Sequence, residues 1–139
     1  MNSESRKVLI VDDERSICEV LEMALSRRGY ATFSAHTAGQ ALEILKTEAC
    51  PVMLIDLFLR QGNGIDLYGR IRKEHPVSVA FLMTGYATEE NIRHGRSVGF
   101  RNCFSKPVSL SDVYRAVNEA FVQLSAGVKA RPGIEGVAA

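Results

Sequence analysis

The chain has 139 residues, a length that suits one folded domain, and its 46% apolar against 24% charged residues is the balance a soluble globular core requires. Lysine and arginine number 17 and the acids 16, so the net charge of +1 gives bulk electrostatics no reason to favour nucleic acid or a membrane surface. Cys18, Cys50 and Cys103 form no C-x-x-C pair, which fits free thiols in a reducing cytoplasm better than a disulfide framework or a zinc site. No stretch approaches the roughly 20 apolar residues of a membrane span. The polar start, residues 1–5, lacks the apolar core of a leader and is expected to be disordered.

In chain order, residues 7–11 are a short, nearly continuous apolar run that reads as a strand covered on both faces. Ile17, Val20, Leu21, Ala24 and Leu25 then recur at three and four residues and predict a first helix, which Gly29 stops. A second strand is expected over 30–35, followed by a capping box, Thr37 with Gln40, that opens a second helix. Residues 52–55 form the third strand and 64–74 the third helix, with Gly62, Asn63 and Gly64 read as a flexible turn. The fourth strand falls at 77–83. In the fourth helix, 88–98, Gly95 weakens the helix by roughly 1 kcal/mol relative to alanine. A fifth strand is expected over 100–104. Behind Ser109, the stripe Leu110, Val113, Tyr114, Val117, Phe121 and Leu124 makes a fifth helix. Residues 6–124 are thus one domain, and 125–139, poor in large apolar residues, read as a flexible tail, a truncated linker or an added remnant. Alternation of this kind predicts an α/β fold, a doubly wound parallel sheet in three layers, whose ligands gather at the carboxyl ends of the strands.

Those ends are polar. The first strand ends in Asp12 and Asp13, the third in Asp56, the fourth in Thr84, and the fifth in Ser105, Lys106 and Pro107. Three carboxylates at one edge repel, and burying them without a cation raises their pKa values and costs stability. A divalent ion resolves the conflict, and Mg2+ suits it best as a hard ion that takes carboxylate and carbonyl oxygens. None of His36, His75 and His94 is expected near these ends; all three read as surface residues. Thr84 and Lys106 add a hydroxyl and an ammonium, groups that suit a phosphoryl group, while Asp56 can serve as its nucleophile.

The combination LIVDDE, MLIDL, LMTGYA and FSKP, in this order and each at a strand end, resembles the receiver domain of two-component response regulators. The resemblance covers about residues 6–124 and implies a five-stranded flavodoxin-like (CheY-like) sheet of strand order 2-1-3-4-5. It implies that Asp56 is the phosphoacceptor, that Asp13 binds Mg2+ directly and Asp12 largely through water, and that the main-chain carbonyl of Phe58 supplies another ligand. It further implies that Thr84 and Lys106 hold the phosphoryl oxygens and that the Lys106–Pro107 bond is cis. The partners it implies are a sensor histidine kinase or a histidine phosphotransfer protein and a downstream protein target, with no direct nucleic-acid or membrane contact and a monomer or weak dimer. Such a domain is a cytoplasmic phosphoacceptor rather than an enzyme acting on external substrates.

Two positions depart from the family pattern. Arg60 replaces the usual proline four residues after the acceptor, which leaves that loop less constrained. Cys103 replaces the aromatic residue three before the lysine, whose inward motion reports phosphorylation. Strand alternation puts Phe100 and Phe104 on one side and Cys103 on the other, so Phe100 is not expected to stand in, and Thr84, Tyr86 and the fourth helix are expected to carry the switch. The set Arg93, His94, Arg96 and Arg101 reads as a solvated face. The alternative function, a small-molecule phosphatase or phosphotransferase forming an aspartyl-phosphate, lacks its D-x-D signature, since Leu57 and Phe58 follow Asp56. A flavin-binding or purely structural module finds no hydroxyl-rich phosphate loop after the first strand.

Overall fold

The computed structural model describes residues 6–127. The expected disorder of residues 1–5, and all but the first three residues of the expected tail, lie outside that range. Elements alternate throughout: β1 (Lys7–Val11), α1 (Arg15–Ser26), β2 (Ala31–Ala35), α2 (Ala38–Thr47), β3 (Val52–Asp56), α3 (Gly64–Glu74), β4 (Val79–Thr84), α4 (Glu89–Val98), β5 (Asn102–Ser105) and α5 (Leu110–Ser125). All neighbouring strands pair in parallel, in the order β2-β1-β3-β4-β5. Among the described residues no helix is long and apolar enough to cross a membrane.

Side-chain alternation along the strands divides the interior in two. Leu9, Val11, Met53, Ile55, Ala80 and Leu82 face α2, α3 and α4, where Ala41, Ile65, Tyr68 and Ile71 close the layer. Val8, Ile10, Val52, Leu54, Phe81 and Met83 face α1 and α5, meeting Leu21, Leu25, Val113, Val117 and Phe121. Because β3 and β4 are buried along their whole length, they read as unbroken apolar runs, whereas the edge strands β2 and β5 keep partly exposed positions.

Every described helix but α1 begins where a side chain satisfies one of the first free N–H groups. Thr37, Asn63, Thr88 and Ser109 accept from the backbone N–H three residues on. The Gln40 side chain accepts from the N–H of His36 rather than of Thr37, so the reciprocal half of the capping box falls one residue early. Asn63 is therefore a cap for α3, not part of a flexible turn. The loop between β3 and α3 is also closed, with Phe58 and Asn63 bridging and the Leu59 N–H donating to the Gly62 carbonyl at 3.3 Å.

Phe100 lies on the opposite side from the one alternation suggested. Strand β5 starts only at Asn102, after a bend at Arg101, so the two-residue period does not extend back to Phe100. Its ring packs in the α3/α4 layer against Tyr68 (4.8 Å between centroids), where Cys103 also packs, while Phe104 meets Phe81 on the other face. Val77 and Ser78 likewise precede β4, which starts at Val79; Ser78 turns back to the carbonyl of His75.

Gly64 owes its identity to crowding rather than to flexibility. As the first residue of α3 it lies against the backbone carbonyl of Asp56 and the Ile55 side chain, which leave no room for a Cβ. Gly64→Ala is expected to destabilise the protein by about 2–3 kcal/mol, because the obstacle is strand backbone that cannot move aside. Urea unfolding of the two proteins measures this, and a difference below about 0.5 kcal/mol would contradict it.

Candidate functional site

The parallel register brings the ends of β1, β3 and β4 to one edge of the sheet, with Asp12 and Thr84 fully buried and Asp56 nearly so. Carboxylate oxygens of Asp12, Asp13 and Asp56 lie within 4.8 Å of one another. Lys106, just beyond β5, turns back into this cluster, its Nζ 2.8 Å from Asp12, 3.3 Å from Asp56 and 3.7 Å from Glu14. The Lys106–Pro107 peptide is cis, and the Lys106 N–H donates to the Thr84 carbonyl at 2.9 Å. Thr84 Oγ1 accepts from the Tyr86 N–H at 2.9 Å, which leaves the hydroxyl proton free to donate.

Charges in this setting shift their neighbours. Burial, followed by the negative charge of Asp12, pushes Asp56 up to about 6 despite the ammonium of Lys106. Burial works against the charge on Lys106, but its hydrogen bond to Asp12 and the charges of Asp56 and Asp12 outweigh that and hold it above the ordinary lysine range. Three carboxylates against one ammonium leave a surplus of negative charge at a spot rich in oxygen donors, which fits a hard divalent cation.

The remaining sequence-predicted residues lie around and beneath the cluster. Phe58 and Tyr86 are exposed and meet edge to face, 5.6 Å between ring centroids, joining the loops after β3 and β4. Cys103 pairs with Leu82, two positions below the Thr84–Ser105 pair, so it lies in the apolar layer under the site. Arg60 is exposed at the tip of the β3–α3 loop.

One histidine does lie against the acidic cluster. His36 is half-buried, and its Nδ1 is 3.0 Å from the Asp12 carbonyl; Cys18 Sγ is 3.6 Å from the same oxygen. The expectation that all three histidines are surface residues away from the strand ends fails here for a topological reason. Because β2 pairs with β1 and Ala35 with Val11, the residue after β2 stands opposite Asp12. The strand order contained that signal; the spacing of the histidines did not.

Comparison with known proteins agrees with this architecture. Residues 8–118 match the family model of the response regulator receiver domain. The chain is 34% identical over 115 residues to the response regulator protein PilR of Pseudomonas aeruginosa, covering 83% of this chain and 26% of PilR. It is 29% identical to sporulation initiation phosphotransferase F of Bacillus subtilis, covering 83% of this chain and 93% of that protein. Among solved structures, a CheY-like receiver domain from Methanospirillum hungatei superposes with a TM-score of 0.81 at 29% identity, covering 87% of this chain and 98% of that one. The chain therefore belongs to the response regulator receiver domain family, whose members act in two-component, phosphorylation-dependent signalling. It spans about a quarter of the length of PilR, 26%.

The raised pKa of Asp56 has a consequence for stability. In the unfolded chain the carboxyl ionises near 3.8 and in the folded, metal-free protein near 6, so between these values the folded state binds more protons and rising pH destabilises it. Asp56→Asn removes that penalty, and is expected to be more stable than the parent by about 2–3 kcal/mol at pH 7.5 but not at pH 4. Urea unfolding in chelator at both pH values tests this; a gap independent of pH would refute the assignment to charge burial.

Proposed function

We propose that the Asp56 carboxylate accepts a phosphoryl group from the phosphohistidine of a sensor histidine kinase or a histidine phosphotransfer protein, in a magnesium-dependent transfer. The observation that carries this is the meeting of three carboxylates with the Lys106 ammonium at the strand ends, beside the Thr84 hydroxyl. An Asp56 oxygen forms the new bond to phosphorus while the donor's P–N bond breaks and its electron pair returns to the imidazole. Lys106, already 3.3 Å from Asp56, balances charge on the phosphoryl oxygens, and Thr84 donates its free hydroxyl proton to one of them. Asp12, Asp13, Asp56 and the main-chain carbonyl of Phe58 are the groups that would hold Mg2+. When bound, the ion neutralises charge that builds up on the transferring group. Free Cys18, Cys50 and Cys103 fit a reducing cytoplasm as the setting.

Phosphorylation would be read out along a hydrogen-bonded path into α4. Thr84 Oγ1 holds the Tyr86 N–H, and the Tyr86 carbonyl accepts from the Thr88 N–H at 2.9 Å and from Asn91 Nδ2 at 2.7 Å. A Thr84 hydroxyl drawn toward a phosphoryl group therefore pulls on the start of α4. Gly95 lets that helix lie close to the sheet, since a Cβ there would come within 3.1 Å of Leu82 Cδ2. With Cys103 in place of an aromatic residue, this path is independent of a moving ring on β5.

Incubation with acetyl phosphate and Mg2+ is expected to add one phosphoryl group by intact mass, with chelator or Asp56→Asn abolishing the gain. Lys106→Ala is expected to slow labelling by on the order of 10²-fold. Undiminished labelling of Asp56→Asn would overturn the acceptor assignment. Beryllofluoride, bound at Asp56 as a phosphoryl mimic, is expected to change amide exchange in α4 more than in α2. Unchanged exchange in α4 would eliminate the proposed readout path.

A further inference from the structure

The backbone of Asp12 is held at both of its polar groups from the β2 side, by the last residue of β2 and the one that follows it. Its N–H donates to the Ala35 carbonyl at 3.0 Å, continuing the β1–β2 ladder one residue beyond Val11. Its carbonyl receives a side chain: His36 Nδ1 at 3.0 Å, with the buried Cys18 thiol as a second, longer contact at 3.6 Å. A carbonyl oxygen can only accept, so this hydrogen bond requires the proton on Nδ1. His36 is itself anchored, its own N–H donating to Gln40 Oε1 at 2.8 Å in the first turn of α2. The oxygen so gripped belongs to the peptide unit that joins Asp12 to Asp13, two of the three carboxylates in the cluster.

We propose that His36 is a positioning residue for the acidic site: by fixing the plane of the Asp12–Asp13 peptide from the β2 side, it sets the spacing of the two carboxylates that receive the cation. The inference rests on the magnesium-dependent reading given above. A carboxylate pair whose connecting peptide can swing must be ordered each time a cation binds. A pair whose peptide is pinned has met that cost during folding. Groups that orient metal ligands from behind act in this way, and their loss weakens metal affinity rather than the chemistry itself. Cys18 supports the arrangement as a protonated donor, since burial pushes its thiol up to about 11.

Asparagine separates the hydrogen bond from the ring. Its Nδ2 is two bonds from Cβ, as is Nδ1 of histidine, so His36→Asn can keep a donor for the Asp12 carbonyl. His36→Phe keeps the ring and loses the donor. In titration calorimetry of metal-free protein with Mg2+, His36→Phe is expected to bind about tenfold more weakly than the parent and His36→Asn within about twofold of it. Labelling of His36→Phe by acetyl phosphate is expected to recover to the parent rate at saturating Mg2+, a defect in metal requirement rather than in transfer. His36→Ala, at a half-exposed position, repeats the test should the phenylalanine variant fail to fold. Parent-like affinity in His36→Phe or His36→Ala, or equal losses in His36→Asn and His36→Phe, would overturn the proposal. No binding of Mg2+ by the parent would instead sink the reading of the site on which the proposal rests.

Discussion

The site depends on a single tension, the burial of like charges at adjacent strand ends. Strands β1 and β3 are neighbours in a parallel sheet, so groups that follow them emerge side by side, and here both are aspartates shielded from water. Repulsion between charges a few ångströms apart, small in water, grows severalfold in such surroundings. Lys106 offsets part of it from the far side of β4, which is why a residue beyond β5 must reach back across the sheet edge. One ammonium does not neutralise three carboxylates. The folded protein therefore keeps a surplus of buried negative charge at this edge of the sheet.

Most of the fold was legible because its signals are local. Unbroken apolar runs marked β1, β3 and β4, three- and four-residue spacing marked α1 and α5, and polar residues at strand ends marked the acidic cluster. What escaped was non-local. Phe100 was assigned to the wrong face because alternation was extended across a bend at Arg101 that only the tertiary structure reveals. The role of Gly64 depends on the nearby carbonyl of Asp56, eight positions earlier in the chain, and not on its own torsions. His36 met Asp12 through strand pairing, a contact between residues 24 apart. In each case the residue type was visible and its neighbour was not.

The position of Phe100 also changes what the absence of an aromatic residue at Cys103 means. The layer beneath α4 is not left short of bulk, since Phe100 and Tyr68 fill it together and the Tyr68 hydroxyl is bonded to Ser78. Both rings are buried and tightly packed, and close-packed groups of this kind move in discrete rearrangements or not at all. By contrast, Tyr86, between the buried Thr84 and Asn91 in α4, lies in an exposed loop held by a few hydrogen bonds. Small shifts there meet less resistance from packing than movements of the two rings would.

The division of labour among the aspartates follows from their partners. Asp12 spends Oδ1 on the Glu14 N–H at 2.9 Å and Oδ2 on Lys106 at 2.8 Å, while its backbone is held by Ala35 and His36. Both oxygens of Asp12 are thus already engaged by the protein. Asp56 is contacted by Lys106 only at 3.3 Å, and burial beside Asp12 raises its pKa to about 6. Its oxygens have fewer partners within the protein than those of Asp12. Asp12 is thus a fixed group whose charge helps to raise the pKa of its neighbour, with His36 contacting its backbone from the β2 edge of the sheet and Lys106 its side chain from the β5 edge.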